Sequence, residues 1–101
     1  MILVIIRMKV LPEKHLELSQ TIASLIGSIR TEQSCRRCDF YQNVDNENDL
    51  CLLEEWDNRE SFMTHLESER FKVLRGAMNL LQEPHEIMFH TVSYPAGLGK
   101  V

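Results

Sequence analysis

Apolar positions change their period several times along the chain, and each change marks an element. Met1 to Val10 is a run of β-branched and aliphatic residues closed by Leu11-Pro12, long enough for one strand. Beyond it, Leu18, Ile22, Leu25, Ile26 and Ile29 recur at helical spacing. Pro12 suits the first helical position and Glu13 the positive helix end, so the pattern predicts an amphipathic helix over residues 12–30. Cys35 to Asp45 carries Phe40, Tyr41 and Val44, and Leu50 to Trp56 is a second apolar run; Asp45-Asn46-Glu47-Asn48-Asp49 between them supplies turn chemistry for a hairpin. Asp57 as N-cap with Glu60 as its capping-box partner predicts a helix beginning near residue 58, with Phe62 and Leu66 on one face. Ser68 can cap a further stretch in which Phe71, Leu74, Met78 and Leu81 repeat, until Pro84 halts it. Glu86 to Ser93 predicts the last strand.

The order β-α-β-β-α-β, with the second helix broken in two, predicts an α+β, ferredoxin-like antiparallel sheet with its helices on one side. One domain is expected over residues 1–93, and Tyr94 to Val101 is expected to form an irregular tail.

A sheet with one wet face should alternate apolar and polar residues. In the first strand Ile2, Val4, Ile6 and Met8 share one face while Leu3 and Ile5 lie on the other. In the third, Leu50 and Leu52 oppose Cys51 and Leu53; in the fourth, Met88 and Val92 oppose Ile87 and Phe89. Helices can cover only one face, and leaving the other in water costs many kcal/mol at about 25 cal/mol per Å². The expectation is a homodimer in which a second copy covers the exposed sheet.

Composition changes this picture little. A chain of 101 residues, 44% hydrophobic and 26% charged, has the size and make-up of one globular core. Its net charge is −4 and its cations are scattered among acids, which argues against a nucleic-acid partner. Met1 to Ile6 is too short to cross a membrane and lacks a charged leader, so no membrane partner and a cytoplasmic location are expected. Three cysteines, an odd number, argue against a disulfide scaffold. Cys35 and Cys38 are expected on opposite faces of their strand, about 10 Å apart, too far for redox or zinc chemistry. No metal site is expected.

Glu32, Cys35, Glu54, Trp56, His65, Ser68 and Phe71 stand in an order and spacing that resembles an antibiotic biosynthesis monooxygenase domain over about residues 2–93. Family members carry an acid shortly before a Gly-Cys pair, a Glu-x-Trp ending the third strand, and a histidine nine residues later, followed by a serine and an aromatic. Ser34 stands where glycine is usual and Cys38 where an aromatic is common, so the turn and one pocket wall are expected to differ. The resemblance implies a dimeric α/β barrel with a pocket between sheet and helices in each subunit. It also implies cofactor-independent oxygenation of a small electron-rich aromatic, such as a quinol or anthrone, by dioxygen. Such a substrate, once deprotonated, can pass an electron to dioxygen itself.

Within that frame His65 is the first candidate for the polar catalytic group, as base or hydrogen-bond donor. Trp56 is a candidate aromatic wall, and Glu54, if buried, needs either a pocket ligand or an ion pair such as Arg7, the expected partner. Ile6, Phe62, Leu66, Phe71 and Met78 are expected to divide between core and substrate lining. A haem-degrading branch relies on an asparagine, a tryptophan and a haem-ligating histidine; here those places hold Ile6, His65 and Arg75, so no iron ligand and no cofactor are expected. The alternatives are a non-catalytic module that binds a small molecule, and an isomerase of a small reactive carbonyl.

Overall fold

The computed structural model describes residues 1–93. It contains β1 (Ile2–Lys9), α1 (His15–Ile29), β2 (Cys35–Gln42), β3 (Asp49–Trp56), α2 (Arg59–Leu66), α3 (Glu69–Ala77) and β4 (Glu86–Thr91). The strands form one antiparallel sheet in the order β2-β3-β1-β4. This is the α+β ferredoxin-like fold expected from the apolar pattern. The expected tail, residues 94–101, lies outside the described residues.

The two central strands carry the strictest alternation. Ile2, Val4, Ile6 and Met8 of β1 pair across with Trp56, Glu54, Leu52 and Leu50 of β3, and all eight are buried. On this face α1 packs Leu18, Ile22 and Ile29, while Phe62 and Leu74 come from α2 and α3. The opposite face carries Leu53, Ile5 and Met88 in one row across three strands, with Leu3 and Cys51 beside them. Met88 is exposed and the other four are only half-buried. Among the described residues no helix covers this row.

Several boundaries differ from the sequence expectation, each for a local reason. The first turn, Pro12–Lys14, is a 3-10 turn, and the α-helix begins only at His15. β2 stops at Gln42 because Asn43 and Asn46 turn the chain: their side-chain oxygens accept from the backbone N–H groups of Asp45 and Asn48. The N-cap of α2 is Asn58, not Asp57; its Oδ1 accepts from Ser61 N at 2.8 Å. Asp57 still belongs to the strand exit, where its N–H donates to Ser34 O and its carboxylate pairs with Arg36. Ser68 caps α3 as expected, but the helical run ends well before Pro84: α3 stops at Ala77, a 3-10 turn takes Met78–Leu80, and Leu81 bridges to Val10. β4 ends at Thr91, two residues early.

A bulge between Cys35 and Arg37 corrects a further expectation. With one extra residue in β2, Cys35 pairs with Trp56 and Cys38 with Glu54, so both thiols share the helix-facing side. Burial pushes Cys38 up to about 12, the negative charge of Glu54 adding to it, and burial followed by Glu54 raises Cys35 as well. Thiolate chemistry is disfavoured by this environment rather than by the separation of the two faces.

Ser34 precedes the bulge with φ of 66°, in the left-handed region. The turn that glycine would make without strain is therefore kept by a residue that has a Cβ. Ser34→Gly removes that strain at the cost of a more flexible unfolded chain, and the net gain expected in unfolding free energy is about 0.5–1 kcal/mol, read from urea denaturation. A loss of stability would show that the Ser34 side chain contributes more than its backbone costs.

Candidate functional site

Glu54 lies near the end of β3, on the helix-facing side, in a row running Cys38, Glu54, Val4 and Phe89 across all four strands. The carboxylate is therefore surrounded by core rather than by water, with 1% exposure. A buried charge requires polar partners. The expected partner Arg7 is excluded by the pleat: it belongs to the opposite face with Leu3 and Ile5, is paired with Cys51 and Glu86, and is exposed. Glu54 Oε1 instead accepts a hydrogen bond from Trp56 Nε1 at 2.9 Å, two residues along the same face.

The second partner comes from α2. His65 sits in its last turn, is 1% exposed, and places Nε2 at 3.4 Å from Glu54 Oε1. Its ring stacks on Trp56 at 4.5 Å between centroids and meets the edge of Phe71 at 5.4 Å. Arg75 lies over the Phe71 ring, 5.1 Å from its centre. Ser68 fixes the helix end, its hydroxyl donating to His65 O at 2.6 Å while accepting from Phe71 N.

Glu32 completes the group. It lies in the connection between α1 and β2, which Arg30 ties down by donating to Cys38 O and Asp39 Oδ1, both at 2.9 Å. Both Glu32 carboxylate oxygens lie within reach of His65 Nδ1, at 3.1 and 3.0 Å. An ionised carboxylate only accepts, so Nδ1 carries a proton and donates. Nε2 faces a second carboxylate, and an imidazolium, a donor at both nitrogens, suits two acceptors better than a neutral ring does. Burial, the largest single influence on His65, works against its charge, but Glu54 and Glu32 together outweigh it and hold the pKa above the ordinary histidine value. Two atoms in the cluster lack a well-formed hydrogen bond among the described residues: Glu54 Oε2 and His65 Nε2.

The structure thus brings together His65, Glu54, Trp56 and Phe71, and adds Glu32. Glu32 belongs to the motif that carried the resemblance, yet nothing in its local sequence indicated that it would meet a histidine 33 positions away. Ile6 is buried in the neighbouring row with Leu52 and Ile87; Phe62 is buried and its ring contacts Phe89 at 5.6 Å. Leu66 and Met78 are half-buried against the same core. The expected open pocket between sheet and helices is not seen around the cluster. Among the described residues, the best-formed surface depressions, of about 260 to 690 Å³, are not lined by His65, Glu54 or Trp56. Among the described residues, no group of three or more His, Cys, Asp and Glu side chains is arranged to hold a metal ion.

Comparison with known proteins matches this frame. The family model described as antibiotic biosynthesis monooxygenase matches residues 1–77. The chain belongs to that family. The match spans Glu32, Glu54, Trp56, His65 and Phe71. A Bacillus subtilis (strain 168) protein named "Putative monooxygenase YcnE" is 30% identical over 82 residues, 79% of this chain and 85% of that protein. A conserved protein from Methanosarcina mazei Go1 superposes with a TM-score of 0.84 at 31% identity, covering 88% of this chain and 89% of the other. Rv0793 from Mycobacterium tuberculosis gives 0.87 at 25% identity, covering 95% and 98%.

Two consequences can be measured. Trp56→Phe keeps the stacking but removes the donor to a buried carboxylate, with an expected loss of about 1–3 kcal/mol in urea unfolding. The pH dependence follows from His65. A folded pKa raised above the unfolded value contributes stability that is fully present below about 6.5 and lost as pH rises through the folded value. The urea midpoint of the wild type is therefore expected to fall as pH rises above about 6.5; a midpoint that rises with pH there would contradict an imidazolium held between two carboxylates.

Proposed function

We propose that this member of the antibiotic biosynthesis monooxygenase family is a cofactor-independent monooxygenase acting, as a homodimer, on a small electron-rich aromatic of the quinol or anthrone type. The observation that carries the reading is Glu54 Oε2: a buried carboxylate oxygen with no hydrogen-bond partner among the described residues, next to an imidazole held between two carboxylates. Such an atom is a proton acceptor already removed from water, as deprotonation of a substrate hydroxyl requires.

In this mechanism the substrate hydroxyl proton passes to Glu54 Oε2. The positive charge on His65 offsets the negative charge that develops beside it, and Glu32 holds the ring in place. The resulting anion gives one electron to dioxygen, the radical pair combines to a peroxide anion, and Glu54 returns its proton to form the hydroperoxide. Loss of water then leaves one oxygen atom in the product. The substrate supplies all the electrons, so the balance is substrate plus dioxygen to oxidised product plus water. Trp56 and Phe71 form the flat walls, with Ile6, Phe62, Leu66 and Met78 as lining.

Because the core is closed over His65, the aromatic enters by displacing side chains. Phe89 marks the place: it is 55% exposed, contacts Phe62, and lies in the same sheet row as Glu54, one strand beyond Val4. The second copy covers the Leu53, Ile5 and Met88 row, which is apolar and otherwise half in water.

Oxygen uptake with a panel of quinols and anthrones tests the chemistry. Uptake is expected from the wild type, with a loss of about a hundredfold or more in His65→Ala and Glu54→Gln. Saturable binding without uptake would identify a non-catalytic binding module instead. Light scattering is expected to give twice the 11.8 kDa mass of one chain. Leu53→Asp, which places a charge in the apolar row, is expected to yield the monomer. A folded wild-type monomer at micromolar concentration would remove the dimer from the proposal.

A further inference from the structure

Among the described residues, the buried histidine is linked to a surface depression by the Glu32 side chain. His65 and Glu54 have side-chain exposures of 0% and 1%, whereas Glu32, bonded to Nδ1 at 3.0 Å, keeps 12%. Glu32 also lines a surface depression of about 690 Å³ together with Ser34, Asn58, Ser61, Thr64 and Ser68. That depression is polar, and Glu60, Glu67 and Arg70 are its other charged groups. It does not include His65 or Glu54, so a proton that reaches the imidazole from this side passes the Glu32 carboxylate.

We propose that Glu32 is the proton port of the buried cluster, the carboxylate through which His65 exchanges its Nδ1 proton with bulk water. The step moves one proton and no electrons. Imidazolium Nδ1–H gives its proton to a Glu32 oxygen, the N–H bond breaking as the O–H bond forms. Water in the depression then takes the proton from Glu32, and the reverse order reloads the ring. The charged and titratable groups facing this path are Glu32 from the α1–β2 connection, Glu54 from β3, and, around the depression, Glu60 of α2, Glu67 of the α2–α3 connection and Arg70 of α3. Cys35 and Cys38 of β2 lie on the same side of the sheet as Glu54, and Arg75 of α3 lies over the Phe71 ring. The arrangement separates two traffics: the aromatic approaches from the β4 side, where Phe89 is exposed, and protons equilibrate on the Glu32 side. Glu32 is thus a positioning and relay residue that acts through His65. The use of this exchange in turnover rests on the proposed monooxygenase reading; the exchange itself is a property of the free protein.

The test uses full-length, ligand-free protein labelled with 15N, following the His65 ring nitrogens by NMR and the exchange of the Nδ1 proton with water by saturation transfer. Glu32→Gln preserves size but neither accepts nor passes a proton; exchange is expected to slow by about a hundredfold and the His65 midpoint to fall. Glu60→Gln, which lines the same depression without touching the ring, is expected to leave exchange at the wild-type rate. A wild-type rate in Glu32→Gln, or equal slowing in Glu60→Gln, overturns the proposal. Should Glu32→Gln fail to fold, Glu32→Asp decides: withdrawing the carboxylate by one methylene slows exchange if it is the port, and an unchanged rate overturns it. No substrate is present, so an absence of oxygen uptake would count against the monooxygenase reading and leave this result standing.

Discussion

A carboxylate on the core-facing side of a strand must be satisfied from within the fold, and Glu54 imposes that requirement on everything around it. Trp56 can reach it because residues two apart in a strand share a face. His65 can reach it only if α2 packs over β3 with its last turn above the strand end, which the Asn58 cap and the Ser68 hydroxyl hold in place. The histidine in turn needs an acceptor for its other nitrogen, and the α1–β2 connection brings Glu32 to it. One buried charge therefore ties together both layers of the molecule, and a well-packed hydrophobic replacement would be no less stable in principle. A cluster that is costly to bury and incompletely bonded fits a chemical role better than a purely structural one.

The sheet imposes a second constraint, on its other face. Strands β1 and β3 are apolar on both sides over part of their length, and the helices shield only one. The row of Leu53, Ile5 and Met88 is bordered by Arg37, Glu55, Arg7 and Glu86, so an apolar centre is set within a charged rim. That is the anatomy of a surface meant to meet another sheet. The two constraints are independent: Glu54, Trp56, His65 and Glu32 all come from one chain and meet on the helix-facing side, away from this apolar row.

Two departures from the family pattern are absorbed differently. Ser34 takes the left-handed conformation that glycine would take, so the turn survives with strain. Cys38 pairs with Glu54 and is fully buried, a small soft side chain where a ring would be larger. The bulge beside it puts Cys35 on the same side, which strict alternation along the strand does not anticipate.

Local patterns alone determined the elements of this protein, their order and the two-sided apolarity of the sheet, because period, turn residues and caps act over a few positions. Resemblance to the family, rather than local pattern, groups His65, Glu54 and Trp56 as candidate site residues. What local patterns left undecided is which way side chains face once the strands pair. Register puts Arg7 and Glu54 on opposite sides of the sheet, and Glu32 partners His65 only because the turn after α1 meets the end of α2. The closure of the core over the cluster was likewise decided by packing. Contacts between residues distant in the chain depend on register, bulges and helix placement, and those are properties of the assembled fold rather than of any local stretch of sequence.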